Sequence, residues 1–189
     1  MNPFDQDNEN DKAQLWDMLV KRDSLAFVNQ DWDLVKEDFV TAHFMGIHAH
    51  NESNPDLWKI SFPNLTSYQK EWLKQAKDFS NDSWTEKPYE ILLKVTYLDE
   101  IEICEDKAIL HKKFSGFAEK TNGEKITFSW QTIYRCVKIN DKWKISGFTG
   151  YLPLNVKKGN LVQTPAKLVP IGANQHLTAG PYSPVLNVN

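Results

Sequence analysis

The sequence predicts one α+β domain, and three observations lead there. Apolar residues recur at helical spacing through about the first eighty positions. They alternate with period two from Tyr89 onward. The two regimes succeed one another instead of interleaving, which places helices on one face of an antiparallel sheet and not between parallel strands. Residues 11–153 carry this pattern. Residues 1–10 are mostly Asp, Asn and Glu and read as a disordered N-terminus. Residues 154–189 hold most of the prolines of the second half and read as an extended tail.

The first helix is expected from about Asp11 to Val28, with Trp16, Leu19, Val20 and Phe27 on one stripe. Asn29-Gln30 breaks it, and Asp31 or Asp33 can cap a short second helix running to Phe39. Phe44 to His50 reads as a short strand, Asn51 to Asp56 as a loop, and Leu57 to Phe62 as a second extended piece. Thr66-x-x-Gln69 is a capping-box pattern opening a third helix. Its stripe is Leu65, Tyr68, Trp72, Ala76 and Phe79. Asn81 to Pro88 reads as a loop. From Tyr89 the set Ile91, Leu93, Val95 and Tyr97 predicts a strand, with a bulge at Asp99 before Ile101 and Ile103. Lys107–Lys120, Glu124–Ile139 and Trp143–Leu152 complete a meander. Glu105-Asp106, Asn122-Gly123 and Asn140-Asp141 turn it, and Asn-Gly is the expected type I′ turn. Strands this long imply a strongly curved sheet, and a curved sheet closed by helices leaves a conical pocket.

Composition narrows the function classes. The chain has 189 residues, 41% apolar, with seven Trp, enough for a substantial core. A net charge of −3 argues against a nucleic-acid partner, which would call for a basic face. No run of 18 apolar residues predicts a membrane span, and Met1–Asp11 lacks the features of a secretory signal, so a cytoplasmic location is expected. Cys104 and Cys136 read as reduced thiols. No phosphate loop, dinucleotide fingerprint, nucleophile elbow or zinc-finger spacing occurs, and no cofactor is expected.

Two segments carry resemblances. Arg22-Asp23-Ser24-Leu25-Ala26-Phe27-Val28-Asn29-Gln30-Asp31-Trp32-Asp33 resembles the first helix, break and second helix of SnoaL-like proteins. Tyr134-Arg135-Cys136-Val137-Lys138-Ile139-Asn140-Asp141-Lys142-Trp143-Lys144-Ile145 is similar to their penultimate strand, polar turn and last strand. Over residues 12–152 the resemblance implies a nuclear transport factor 2-like cone of about three N-terminal helices on a strongly curved, mostly antiparallel sheet. It also implies a pocket and often a homodimer, without implying one activity. Separately, Ala179-Gly180-Pro181-Tyr182-Ser183-Pro184-Val185-Leu186 resembles the opening of the Rid enamine/imine deaminases. That resemblance implies a longer fusion whose deaminase part is not carried here.

Candidate polar groups are few. Asp23 lies four residues from Leu19 and from Phe27, on the apolar stripe. Buried and unpaired it would be pushed toward the range useful for acid–base work; at a solvent edge or paired it would be structural. His48 and His50 share a strand face. They read as a proton shuttle, as half of a metal set with His43, His111 or Glu52, or as plain edge histidines. No metal is assigned to them. The mixed faces of the strand around His111 leave its direction open between pocket and solvent. On the next strand Ile126, Phe128, Trp130, Thr132, Tyr134 and Cys136 form the better inward set. Trp32, Trp58, Tyr68, Trp72 and Trp130 are expected to line the pocket, or simply to be core. The paired lysines Lys112-Lys113 and Lys157-Lys158 read as solvated surface.

Together these features read as a domain binding a small apolar or aromatic molecule. Its chemistry, if any, would be cofactor-free proton transfer by Asp23, His48, His50 or His111, with Tyr134 donating to a developing oxyanion. The rival reading is a non-catalytic dimerisation or substrate-delivery module attached to a Rid-type deaminase.

Overall fold

The computed structural model describes residues 2–5 and 10–154. The Rid-like segment, and all of the expected tail beyond Leu154, lie outside the described residues. Residues 2–5 form a turn tied to the first helix, with the Asn2 side-chain amide donating to the Ala13 carbonyl (3.0 Å).

A single helical run opens the domain in three parts: α1 (Asn10–Trp16), a π-helical stretch (Asp17–Arg22) and α2 (Asp23–Asn29). It buries Leu15, Leu19, Val20, Ala26 and Phe27. Gln30, in the left-handed region at φ 56°, ends it. Asp31 then caps as expected, its side chain accepting from the Asp33 N–H. The expected second helix is replaced by a pair of 3-10 turns, Trp32–Leu34 and Lys36–Asp38. Helix α3 (Leu65–Asn81) buries Tyr68, Trp72, Gln75, Ala76 and Phe79 along one face. Its cap is Asn64, accepting from the Ser67 N–H at 2.9 Å, and not the Thr66 box.

The expected strand from Tyr89 is corrected. Pro88–Val95 is helix α4, burying Ile91, Leu92 and Val95. Proline at its first turn sacrifices no helical hydrogen bond and pre-sets φ. The 91, 92, 95 spacing outweighs the accidental alternation of 91, 93 and 95.

The six strands are β1 (Met45–His48), β2 (Lys59–Phe62), β3 (Thr96–Cys104), β4 (Lys107–Glu119), β5 (Lys125–Ile139) and β6 (Lys142–Pro153). They form one sheet in the order β2-β1-β6-β5-β4-β3. Of these strand pairings only β1–β6 is parallel. The β3–β4 register shifts between Tyr97 and Glu100, where the sequence placed a bulge. Further shifts lie in β5–β6. Bulges raise local twist and bend the sheet around the helices. The type I′ geometry belongs to Asn140 and Asp141, both at positive φ. At Asn122-Gly123 only the glycine is left-handed, which fits a bulged three-residue turn.

Alternation fixes which residues look inward. Leu110, Lys112 and Phe114 on β4 and Phe128, Trp130, Thr132, Tyr134 and Cys136 on β5 are buried. The β5 set is the one expected. Opposite them Phe27 meets Trp72 edge-on (5.3 Å), Trp32 stacks on Phe39 (5.1 Å) and Tyr68 packs on Phe148 (5.0 Å). The result is the α+β architecture expected, with helices covering the concave face of a curved, mostly antiparallel sheet. Among the described residues no helix is long and apolar enough to cross a membrane.

Gly147 sets the distance between β1 and β6. A Cβ there would lie 2.3 Å from the Met45 carbonyl and 2.4 Å from Arg135 Nη2, which itself donates to Met45 O (3.1 Å). Gly147→Ala is therefore expected to lower stability by about 1–3 kcal/mol in thermal or urea unfolding. An unchanged unfolding midpoint would show that β1 can slide away from β6 at no cost.

Candidate functional site

A buried ion pair stands inside the cone. Lys112, 1% exposed, points inward from β4 in phase with Leu110 and Phe114. Its ammonium donates to Asp23 Oδ2 (2.8 Å) and to the backbone carbonyl of Leu19 (2.5 Å). Asp23 Oδ1 accepts from the Trp72 indole N–H (3.3 Å).

The helix is modified at this point. In a regular α-helix the Asp23 N–H would bond the Leu19 carbonyl. Here it bonds Met18 and Val20 instead. The π-helical stretch thus makes the Leu19 carbonyl available to Lys112, and such stretches are frequent at functional sites. Of the readings left open for Asp23, unpaired or paired, the structure has the paired one, with Lys112 as the partner. Lys112, read from sequence as solvated, is the partner the sequence reasoning missed. The signal was its phase with Leu110 and Phe114.

Beside this pair lie two buried phenols. Tyr68 and Tyr134 are both raised well above the usual tyrosine range, first by burial. The influence of Tyr134 and then the charge of Asp23 act further on Tyr68, and Asp23 acts on Tyr134. Trp72 borders the pair directly, Trp32 packs on Trp72 (5.3 Å), and Trp130 stacks on Phe114 (4.7 Å). Of the expected pocket aromatics, Trp32, Tyr68, Trp72 and Trp130 are interior. Trp58 is not: it sits in a loop, half-buried, donating to the Glu52 carbonyl (3.0 Å).

The histidines separate from Asp23. His48 is buried on β1 and stacks on Tyr151 (centroids 3.8 Å apart, 15° between planes), while the His50 ring lies 4.0 Å from it. Its Nδ1 accepts from the His50 N–H (2.9 Å), so the neutral ring carries its proton on Nε2. Burial, with a smaller push from His50, lowers His48 to about 3. It is neutral at physiological pH. A proton shuttle, one of the readings left open, calls for a group that titrates near neutrality, and burial holds His48 below that range. His111 faces away from the core, half-exposed, with Nδ1 3.2 Å from Glu100. The parity of β4 forbids it the pocket, since Leu110 and Lys112 take the inward positions. Among the described residues no three His, Cys, Asp or Glu side chains are placed to hold a metal.

Solved structures similar to this chain include an NTF-2 like protein of unknown function from Silicibacter pomeroyi. It is 11% identical over 75% of this chain and 94% of its own, with a TM-score of 0.45. A nuclear transport factor 2 (NTF2-like) superfamily protein from Salmonella enterica is 14% identical over 75% and 90%, with a TM-score of 0.45. A protein of unknown function with a cystatin-like fold from Nostoc punctiforme is 10% identical over 75% and 90%, with a TM-score of 0.49. No protein-family model and no curated protein matches the chain.

This geometry makes two testable demands. Lys112→Met leaves a buried carboxylate without its counter-charge and is expected to cost about 3–5 kcal/mol of stability. The double variant Asp23→Leu/Lys112→Met should cost clearly less than the two single losses added together. Strict additivity in a double-mutant cycle would mean the pair is not coupled. Second, His48 binds its proton less readily folded than unfolded. Its contribution is fully present above the unfolded histidine range and is lost as pH falls from there toward about 3. His48→Gln should flatten that part of the stability–pH curve, and a curve parallel to that of the parent protein would contradict a buried neutral imidazole.

Proposed function

We propose that the cone interior binds a small, largely apolar or aromatic molecule through the phenols of Tyr68 and Tyr134, beside the Asp23–Lys112 pair. One observation carries this reading. Both phenols are buried, and the charge of the same carboxylate, Asp23, acts on each of them. Each phenol, raised well above the usual tyrosine range, keeps its proton and is a donor toward an oxygen placed beside it. Two protonated donors grouped with one carboxylate suit an oxygen-bearing occupant. The surrounding Trp and Phe rings suit its apolar remainder.

The chemistry this arrangement supports is cofactor-free proton transfer, of the isomerisation, dehydration or cyclisation type. Lys112 and Trp72 fix the Asp23 carboxylate in position, and it can take a proton from a carbon held against it. Tyr134, protonated at all physiological pH, can donate to the oxygen where charge develops. His48, His50 and His111 take no part.

The non-catalytic reading is favoured by a different surface. Tyr97, Ile109 and Phe117 are exposed apolar residues on β3 and β4. In that reading they form a homodimer face, and sedimentation of the chain at several concentrations tests it. A fusion to a Rid-type deaminase rests on residues outside the described structure.

The interior reading is tested by saturation-transfer NMR with phenols and cyclic ketones. Wild-type protein should bind members of the panel, and Tyr134→Phe and Tyr68→Phe should each weaken binding by about 0.5–1.5 kcal/mol. No binding, together with a raised melting temperature in both variants, would mean the hydroxyls are liabilities of a closed core.

A further inference from the structure

A cleft of about 140 Å³ lies between the β1–β2 edge and α3, lined by His48, His50, Ser61, Phe62, Glu71 and Gln75. It is small beside the roughly 300–1,000 Å³ of drug-sized pockets, so its occupant has only a few heavy atoms. Its polar groups are other than those around the Asp23–Lys112 pair.

Glu71 is half-buried and has no ion-pair partner among the described residues. Its Oε1 accepts from the Gln75 side-chain amide (2.9 Å), which leaves Oε2 for a ligand. Gln75 is in turn held by the Tyr151 hydroxyl (3.2 Å), so the carboxylate is oriented from behind. The Nε2 of His50 is buried and has no hydrogen-bond partner among the described residues. Both imidazoles are held below the usual histidine range, mainly by burial. Lys59, exposed and outside the lining, pushes His50 the same way. Neither ring repels a cation. Phe62 adds an aromatic wall.

The backbone supports the same conclusion. His50, Asn51 and Tyr151 all adopt left-handed φ, at 52°, 60° and 57°. The Asn51 N–H donates to the Tyr151 carbonyl (2.7 Å), which locks the three together. Non-glycine residues persist in that region only when their surroundings over-determine them, and they cluster at ligand sites. Here the strain turns the His50 ring back over His48 and into the cleft.

We propose that this cleft binds a small organic ammonium group, with Glu71 Oε2 and His50 Nε2 accepting its N–H groups and Phe62 against its charge. The carboxylate supplies the charge, the imidazole lone pair the direction. The His48 Nε2–H is left to donate to a neighbouring hydroxyl or carbonyl oxygen on the same ligand. An amino alcohol has both parts.

The test is a titration of the full chain with ethanolamine hydrochloride, monitored by NMR of the histidine rings and the Gln75 side-chain amide, with sodium chloride as the control. Saturable shifts of the His50 and Gln75 signals, absent with sodium chloride, are expected. Glu71→Gln should weaken binding about tenfold, since it removes a charge-assisted hydrogen bond. His50→Phe gives a second reading, should Glu71→Gln disturb α3, and should also weaken binding. Shifts that never saturate, or that sodium chloride reproduces, would overturn the proposal, as would undiminished binding in both variants. None of these results bears on phenol or ketone binding in the cone.

Discussion

The ammonium of Lys112 ties β4 to the opening helical run and, through a shared carboxylate, to α3. Through Leu19 it holds the π-helical stretch, through Asp23 the start of α2, and through the Trp72 indole on the same carboxylate it reaches α3. Charges in an interior of aromatic rings are expensive unless every lone pair and proton is directed. That requirement explains the break in helical register before Asp23. It also explains why Trp72, and not a hydrocarbon side chain, stands at this point of α3. The sheet must present β4 with Lys112 inward, which sets the parity of the whole strand, with His111 and Lys113 directed outward.

With the pair in place, the interior divides its polar groups into two neighbourhoods. Asp23, Tyr68 and Tyr134 share the deep one, inside the cone. His48, His50, Glu71 and Gln75 share the shallow one, at the β1–β2 edge. Tyr151 stands between them: its ring stacks on His48, its hydroxyl bonds Gln75, and its influence reaches Tyr68 and Tyr134. A single site combining Asp23 with the histidines, as the sequence suggested, would need these two neighbourhoods to merge.

Much of the fold was legible because alternation on long strands is a strong signal. The inward set of β5 and the bulge near Asp99 derive from it directly. Helix α4 was missed because eight residues offer little periodicity, and Ile91, Leu93 and Val95 mimic a strand; Pro88 at the first turn was the better clue. The strongest Asn-Gly signal did not make the type I′ turn, which Asn140 and Asp141 adopt instead, since both side chains tolerate left-handed φ. At the site, Asp23 was visible as a carboxylate on an apolar stripe. Its partner was hidden by a neighbour: Lys112 beside Lys113 looks like a solvated pair until strand parity separates them. Of the left-handed residues around this cleft, His50 and Asn51 are of types that enter that region more readily than most, but Tyr151 is not, and it lies inside a long alternating strand that hides it.

On this account the cone interior is a site and not merely a core. A high-resolution crystal structure of protein purified without added ligand tests that most directly, through the density around the Tyr68 and Tyr134 hydroxyls. Density within hydrogen-bonding distance of both oxygens, extending toward Asp23, is the expected result. Phenols that touch only carbon atoms of neighbouring side chains, with no density between them and Asp23, would contradict it.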